Sequence, residues 1–125
     1  MSARHVLIIA AHPSSPDTES LGLNMARAYA QSAEKAGDHI KLLQLDSLDF
    51  DPILHAGYKV PQPLEPCLKS AQEDILWADE LVLVFPIWWG GMPALLKGFL
   101  DRVLLPGFAF RYEPEGQGLT PLLKG

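Results

Sequence analysis

The apolar positions of this chain follow two patterns that alternate along the sequence. Residues 6–11 and 81–85 are apolar without interruption, which is typical of strands covered on both faces of a parallel sheet. Residues 39–45 carry a strand pattern with two polar interruptions, at Lys41 and Gln44. The sequence therefore predicts three strands, of which the second is less buried than the first.

Between and after these strands, apolar residues return with the period of a helix. One helix is predicted from Leu21 to a stop at Gly37, and a second over residues 64–78. A third extends to Leu104 from Pro93, whose missing N–H costs nothing at a first helical position. Three strands that alternate with three helices predict an α/β fold with a doubly wound parallel sheet.

Right-handed crossovers give this sheet the strand order 2-1-3. The third strand is as apolar as the first, yet it would then be an unpaired edge, which proteins usually cover. We therefore expect the chain to be the N-terminal portion of a larger fold, with strands 4 and 5 missing from it or another chain covering the edge. Residues 46–66 hold four prolines and predict a surface excursion within the domain.

Composition excludes several classes of function. The formal net charge is −5 and no Lys/Arg cluster occurs, which argues against nucleic-acid binding through phosphate contacts. The apolar runs are far shorter than the roughly 20 residues that span a bilayer, and we see no signal peptide. The single cysteine, Cys67, excludes an internal disulfide and is interpreted as a packing residue rather than a reactive thiol. We expect a cytoplasmic protein without membrane insertion.

The loop after the first strand, residues 12–20, is rich in prolines and hydroxyl groups and leads into a helix N-terminus. Backbone N–H groups and the helix dipole favour an anion there; Thr18 and Ser20 can donate hydrogen bonds, and His12 can add a donor or a positive charge. A phosphate fits this loop, and so does a helix cap with no ligand. The P-loop, dinucleotide-binding and G-x-S-x-G motifs are absent. The four histidines are far apart without ligand spacing, which argues against a metal site.

The loop after the third strand, residues 86–92, contains Trp88 and Trp89 beside two glycines. The indole rings can stack on a flat aromatic ligand, while glycines allow close approach of the backbone. The alternative is that the tryptophans fill the core or an oligomer contact. Both loops follow adjacent strands at their carboxyl ends, where α/β sheets bind ligands. One polar and one aromatic loop together favour a planar cofactor that carries a phosphate, such as FMN or FAD.

Three motifs carry a resemblance to a known family. Ala11-His12-Pro13 follows the first strand and precedes Ser20-Leu21, and residues 107–112 read GFAFRY. The most specific motif is residues 86–103, PIWWGGMPALLKGFLDRV. With these motifs, the chain resembles the flavodoxin-like NAD(P)H:quinone oxidoreductases, a family that includes the ancillary reductases of glutathione-gated potassium efflux systems.

The resemblance implies a single flavodoxin-like domain over residues 1–125, with flavin-binding residues in both loops. The phosphate end would be held by His12, Thr18 and Ser20, with Leu21 beside them. The isoalloxazine would be lined by Pro86, Ile87, Trp88, Trp89 and Gly90. Phe110 and Tyr112 would fall near the substrate pocket, and no residue is assigned as catalytic.

The resemblance also implies an activity. NAD(P)H would deliver hydride to the flavin, and the reduced flavin would pass two electrons to a quinone-like acceptor, in a protein that pairs as a homodimer. In the family, a third loop after a fourth strand completes the flavin site, and this chain stops before that strand. The alternative is therefore a non-catalytic regulatory or interaction subunit that binds flavin weakly or not at all.

Overall fold

The computed structural model describes residues 3–12 and 21–124. Its elements, in chain order, are β1 (His5–Ala10), α1 (Leu21–Lys35), β2 (His39–Gln44), α2 (Pro66–Trp77), β3 (Glu80–Val84), α3 (Ala94–Val103), β4 (Phe110–Tyr112) and β5 (Leu119–Pro121). Short 3₁₀ turns occupy Leu45–Ser47 and Pro114–Gly116. The three predicted strands and three predicted helices are all present.

A parallel sheet with the order β2-β1-β3 forms the centre of the fold, as predicted. The register places Leu7 between Lys41 of β2 and Leu81 of β3. Residues 6–11 are buried throughout, because β1 has a strand on each side and helices on both faces. No strand in the described part of the chain pairs with the outer edge of β3.

The prediction that β3 is covered on both faces was wrong. Leu81 and Leu83 are 43% and 38% exposed, whereas Val82 and Val84 pack against the core. The difference follows from position rather than composition, because β3 lies at the edge of the sheet and β1 at its centre. The edge strand β3 therefore presents exposed apolar side chains, together with backbone groups that no described strand pairs with.

Two apolar clusters fill the faces of the sheet. Leu7 and Ile9 pack with α2 and α3 on one face, while Val6 and Ile8 pack with α1 on the other. This alternation follows from the two-residue period of a strand. Cys67 is half-buried and packs against the first cluster, as expected of a packing residue.

Helix α1 buries only part of the face that its apolar pattern predicts. Of the residues with helical spacing, Leu21, Met25 and Tyr29 are exposed, whereas Ala33 is buried as predicted; Ala26, outside that spacing, is buried as well. Small side chains let the helix lie close to the sheet. The exposed apolar residues at its start are therefore free to line a site.

Two smaller differences concern the third helix and the C-terminal segment. Pro93 has φ −60° and ψ 152° and is the extended N-cap of α3, not its first helical residue. The C-terminal segment, for which no strand is predicted, contains β4, which pairs antiparallel with β5. Each strand is three residues long, too short for an alternation signal in the sequence.

The excursion at residues 46–66 is held against α3 by Arg102. This side chain is fully buried and donates hydrogen bonds to the Glu65 carboxylate (2.8 Å) and to the carbonyl oxygens of Asp51 (2.5 Å) and Pro63 (3.0 Å). Glu65 also accepts from the Asp51 backbone N–H at 2.7 Å. The hydrogen bond from Arg102 holds the pKa of the Glu65 carboxyl below its usual value. The excursion is thus part of the folded domain.

Candidate functional site

A cavity of about 520 Å³ lies where β1 and β3 end and α1 begins. Its lining combines the two loops identified in the sequence with the first turns of α1. The lining residues are His12, Leu21, Gly22, Met25, Leu83, Val84, Phe85, Pro86 and Ile87. Four predicted cofactor residues therefore meet at one cavity: His12, Leu21, Pro86 and Ile87. Their role in binding a flavin stays a prediction.

Thr18 and Ser20, the other two predicted phosphate ligands, lie outside the described residues. Gly22 and Met25 were not identified as site residues from the sequence, although Met25 follows Leu21 by four residues and shares its helical face. That spacing was available as a signal, but the pattern was interpreted as a core face.

His12 connects the two loops. Its imidazole lies edge-on to Trp88, with 6.0 Å between ring centroids and 70° between ring planes. Its Nδ1 atom is buried and has no hydrogen-bond partner among the described residues. An unsatisfied buried polar atom costs about 1–3 kcal/mol, and such atoms in native proteins call for a specific explanation. A polar group of a ligand in the cavity would provide the missing partner.

The aromatic loop is a two-residue turn. Trp88 and Gly91 exchange backbone hydrogen bonds of 2.9 and 3.1 Å, and the residues between them, Trp89 and Gly90, have φ values of 55° and 74°. Positive φ at both central positions is the signature of a type I′ turn. Glycine adopts this conformation freely, whereas a tryptophan there is strained by about 1–2 kcal/mol.

Trp89 gains no burial in return for this strain, since its side chain is fully exposed to solvent. Ile87, on the same loop, is 73% exposed. The loop that contains this turn begins at Pro86, which cannot donate to a strand ladder, and leads to the buried Pro93 that caps α3. Strained residues of this kind cluster at functional sites, which makes Trp89 a candidate site residue.

Phe110 and Tyr112, the predicted substrate-pocket residues, lie in β4 and contact each other with ring centroids 5.4 Å apart. Phe110 also contacts Tyr58 of the excursion at 6.0 Å. Within the described part of the chain, neither ring contacts Trp88 or Trp89. These aromatic residues therefore form a cluster separate from the cavity beside His12, and their relation to a substrate stays a prediction.

The cavity lining has little acid–base capacity. His12 is the only titratable side chain among its described lining residues. The cavity is otherwise apolar, with a large aromatic surface beside it at Trp88 and Trp89. Such a site can bind, stack and orient a planar group more readily than it can transfer protons.

The fold is shared with other proteins. A sequence model for a family with a flavodoxin-like fold matches residues 4–125 of the chain. The chain belongs to this flavodoxin-like family. The match runs through both loops of the cavity and through the β4–β5 hairpin, and it confirms the resemblance inferred from the motifs.

Among curated relatives of this flavodoxin-like chain is an uncharacterized NAD(P)H oxidoreductase of Haemophilus influenzae. It is 38% identical over 114 residues, which is 86% of this chain and 54% of that protein. The chain thus spans about half the length of this relative.

Two solved structures share the flavodoxin-like architecture. Smu.1420 from Streptococcus mutans superposes with a TM-score of 0.77 and 32% identity, covering 97% of this chain and 63% of that one. The NAD(P)H:quinone oxidoreductase from Methanothermobacter marburgensis gives a TM-score of 0.75 and 30% identity, covering 89% and 58%.

Proposed function

We propose that the chain is the flavin-binding part of an oxidoreductase that passes electrons from NAD(P)H, through FMN or FAD, to a quinone-like acceptor. Relatives named NAD(P)H oxidoreductase and NAD(P)H:quinone oxidoreductase support this activity class. The observation that carries the proposal is the cavity beside the His12 and Trp88 loops, one of whose lining residues, His12, has a buried Nδ1 atom without a hydrogen-bond partner among the described residues.

The residues fit a flavin. The volume of about 520 Å³ lies within the range of small-molecule sites, roughly 300–1,000 Å³. Pro86 and Ile87 supply an apolar wall, and Trp88 and Trp89 supply aromatic faces that favour planar rings. His12 offers a nitrogen to a polar group of the ligand.

A bound flavin supplies the hydride and electron chemistry. The protein would contribute binding and orientation: His12 would hold a polar group of the ligand, and the indoles of Trp88 and Trp89 beside the cavity would offer stacking surfaces. The apolar residues Leu21, Met25 and Leu83 of the cavity lining would contact the ligand. Because His12 is the only titratable side chain among the described lining residues, the described residues would act mainly by positioning rather than by proton transfer.

We further propose that the protein works as a cytoplasmic homodimer whose contact lies near this site. An apolar surface is formed by the fully exposed Trp89, the exposed Ile87 and the edge of β3, which no described strand pairs with. Surfaces of this kind mark interaction sites. The same surface favours the alternative function, a non-catalytic subunit that docks on a partner protein.

The test is flavin binding and turnover by the purified chain. We expect FMN or FAD to bind with one equivalent per chain and NAD(P)H to be oxidised when a simple benzoquinone is added. His12→Ala should weaken flavin binding about tenfold or more, since a hydrogen bond to a charged group contributes roughly 1.5–3 kcal/mol. His55→Ala is the matched control, because His55 is exposed and pairs with Asp51 away from the cavity.

A folded chain that binds neither FMN nor FAD would overturn the enzyme proposal. If that chain instead formed a stable complex with a second protein without flavin, the subunit function would be favoured. Equal flavin affinity in the His12 and His55 variants would contradict the role of His12 alone.

A further inference from the structure

The fold brings together two histidines that are 34 residues apart in the sequence. His5 begins β1 and His39 begins β2, and they are register partners in the parallel pair. Register partners on neighbouring strands point to the same face of a sheet, and these two ring centroids lie 5.4 Å apart with 55° between the planes. The pair lies at the amino-terminal edge of the sheet, at the opposite end of β1 from His12.

The His5 ring is held in place by two contacts with Trp77. It stacks on Trp77 with 4.5 Å between centroids and 9° between planes, and its Nδ1 atom lies 3.2 Å from the Trp77 carbonyl oxygen. A carbonyl accepts only, so Nδ1 carries the hydrogen and the neutral ring keeps its lone pair on Nε2. Metal-bound histidines commonly donate their second N–H to a backbone carbonyl in this way.

One cation near the pair is the Lys41 ammonium, which lies 4.5 Å from the centroid of the Trp77 ring on which His5 stacks. The positively charged side chains nearby are each paired with carboxylates: Arg4 with Asp38 and Glu80, Lys41 with Asp74, and Lys124 with Asp79. His39 is exposed and His5 is half-buried. An ion can therefore reach the two rings from solvent.

We propose that His5 and His39 form a surface site for a divalent transition-metal ion of the Zn²⁺ or Ni²⁺ type. A tetrahedral ion binds an imidazole nitrogen at about 2.0–2.1 Å. If it binds one nitrogen of each ring, the two ring centroids lie about 5 Å apart. The observed distance between the centroids is 5.4 Å. No group of three or more His, Cys, Asp or Glu side chains suited to a metal occurs among the described residues. Water therefore completes the coordination, and the site is weaker than a four-ligand structural zinc site.

Bound metal would tie β1 to β2 next to the end of α2. An ion that binds only the folded chain raises its melting temperature. This effect needs no flavin, so its outcome is independent of the proposed oxidoreductase function.

The test is calorimetric titration of the untagged chain with ZnCl₂ and NiCl₂. We expect one ion per chain, tighter binding of Ni²⁺ than of Mn²⁺ as the Irving–Williams order requires, and a melting temperature that rises with Zn²⁺. His39→Gln and His5→Gln should each weaken binding at least tenfold. His55→Gln is the control, since His55 is exposed and its ring pairs with a carboxylate rather than with a second imidazole.

Unchanged affinity in His39→Gln would overturn the proposal, and so would an equal loss in His55→Gln. Circular dichroism of the metal-free variants separates loss of the site from loss of the fold. His39 is exposed, so its variant should keep the wild-type melting temperature without metal. If His5→Gln unfolds, His39→Gln alone decides.

Discussion

Replacing Trp89 by asparagine should stabilise the protein while it weakens flavin binding. Trp89 occupies the left-handed region at φ 55°, where an ordinary residue is strained by about 1–2 kcal/mol. Asparagine tolerates this conformation and is favoured before glycine in type I′ turns. Because the indole is fully exposed, the substitution removes no buried contact.

The expected gain is about 1 kcal/mol of unfolding free energy, or roughly 3–5 °C in melting temperature for a domain of this size. The matched control is Trp89→Ala, which removes the same indole but keeps a non-glycine residue without asparagine's preference for the left-handed region. Urea unfolding followed by circular dichroism measures both. Flavin titration should show weaker binding in both variants, since each loses the stacking ring.

The decisive comparison is between the two variants. If Trp89→Asn is no more stable than Trp89→Ala, the turn is not strained in the way the backbone angles indicate. If both variants keep the wild-type flavin affinity, Trp89 does not stack on the cofactor. Higher stability of the asparagine variant combined with loss of binding would show that the strain serves the site.

Three further predictions concern the contacts that hold the excursion to α3. Arg102→Met leaves the Glu65 carboxylate without its buried partner and should lower the free energy of unfolding in urea by about 3–5 kcal/mol. The same change at the exposed Arg111 should lower it by less than about 1 kcal/mol. Equal effects of the two substitutions would contradict the role of Arg102. Gly98→Ala should destabilise the protein by about 1–3 kcal/mol, because the new Cβ would lie 2.5 Å from Pro52 Cβ. This loss should exceed the roughly 1 kcal/mol by which alanine is favoured over glycine in a helix. A more stable variant would show that Pro52 can move. The pKa of the Glu65 carboxyl is lowered in the folded protein. The ionised carboxylate therefore stabilises the fold above its ordinary pKa of 4.5, and this stabilisation is lost as the pH falls through the lower folded pKa. Glu65→Gln should flatten this part of the stability–pH curve, and an unchanged curve would exclude Glu65 as the source of the pH dependence.

Much of the site could be predicted because its signals are local. A proline that ends a strand, two tryptophans and two glycines occur within seven residues, and their position after a buried strand directs them to the carboxyl edge of the sheet. His12 and Leu21 flank the loop after the other strand. Their meeting at one cavity follows from the strand order 2-1-3, which the handedness rule predicts.

Other features had no local signal. Tyr58 of the excursion contacts Phe110, and Arg102 of α3 bonds to the excursion on either side of Tyr58. Nothing in the sequence of the excursion indicates either contact. Met25 and Tyr29 are exposed because the small residues Ala26 and Ala33 of the same helix face the sheet. Positive φ at Trp89 depends on hydrogen bonds between Trp88 and Gly91, and the residue itself disfavours it.

The sequence by itself determined the order of strands and helices, the family and the two loops that flank the cavity, because hydrophobic period and turn residues act over a few positions. The tertiary structure decided which face of α1 is buried, how strongly β3 is exposed at the edge and which side chains meet across the chain. His5 and His39 show the reason most clearly. Their separation in sequence argued against a metal site, and the register of two parallel strands makes them neighbours.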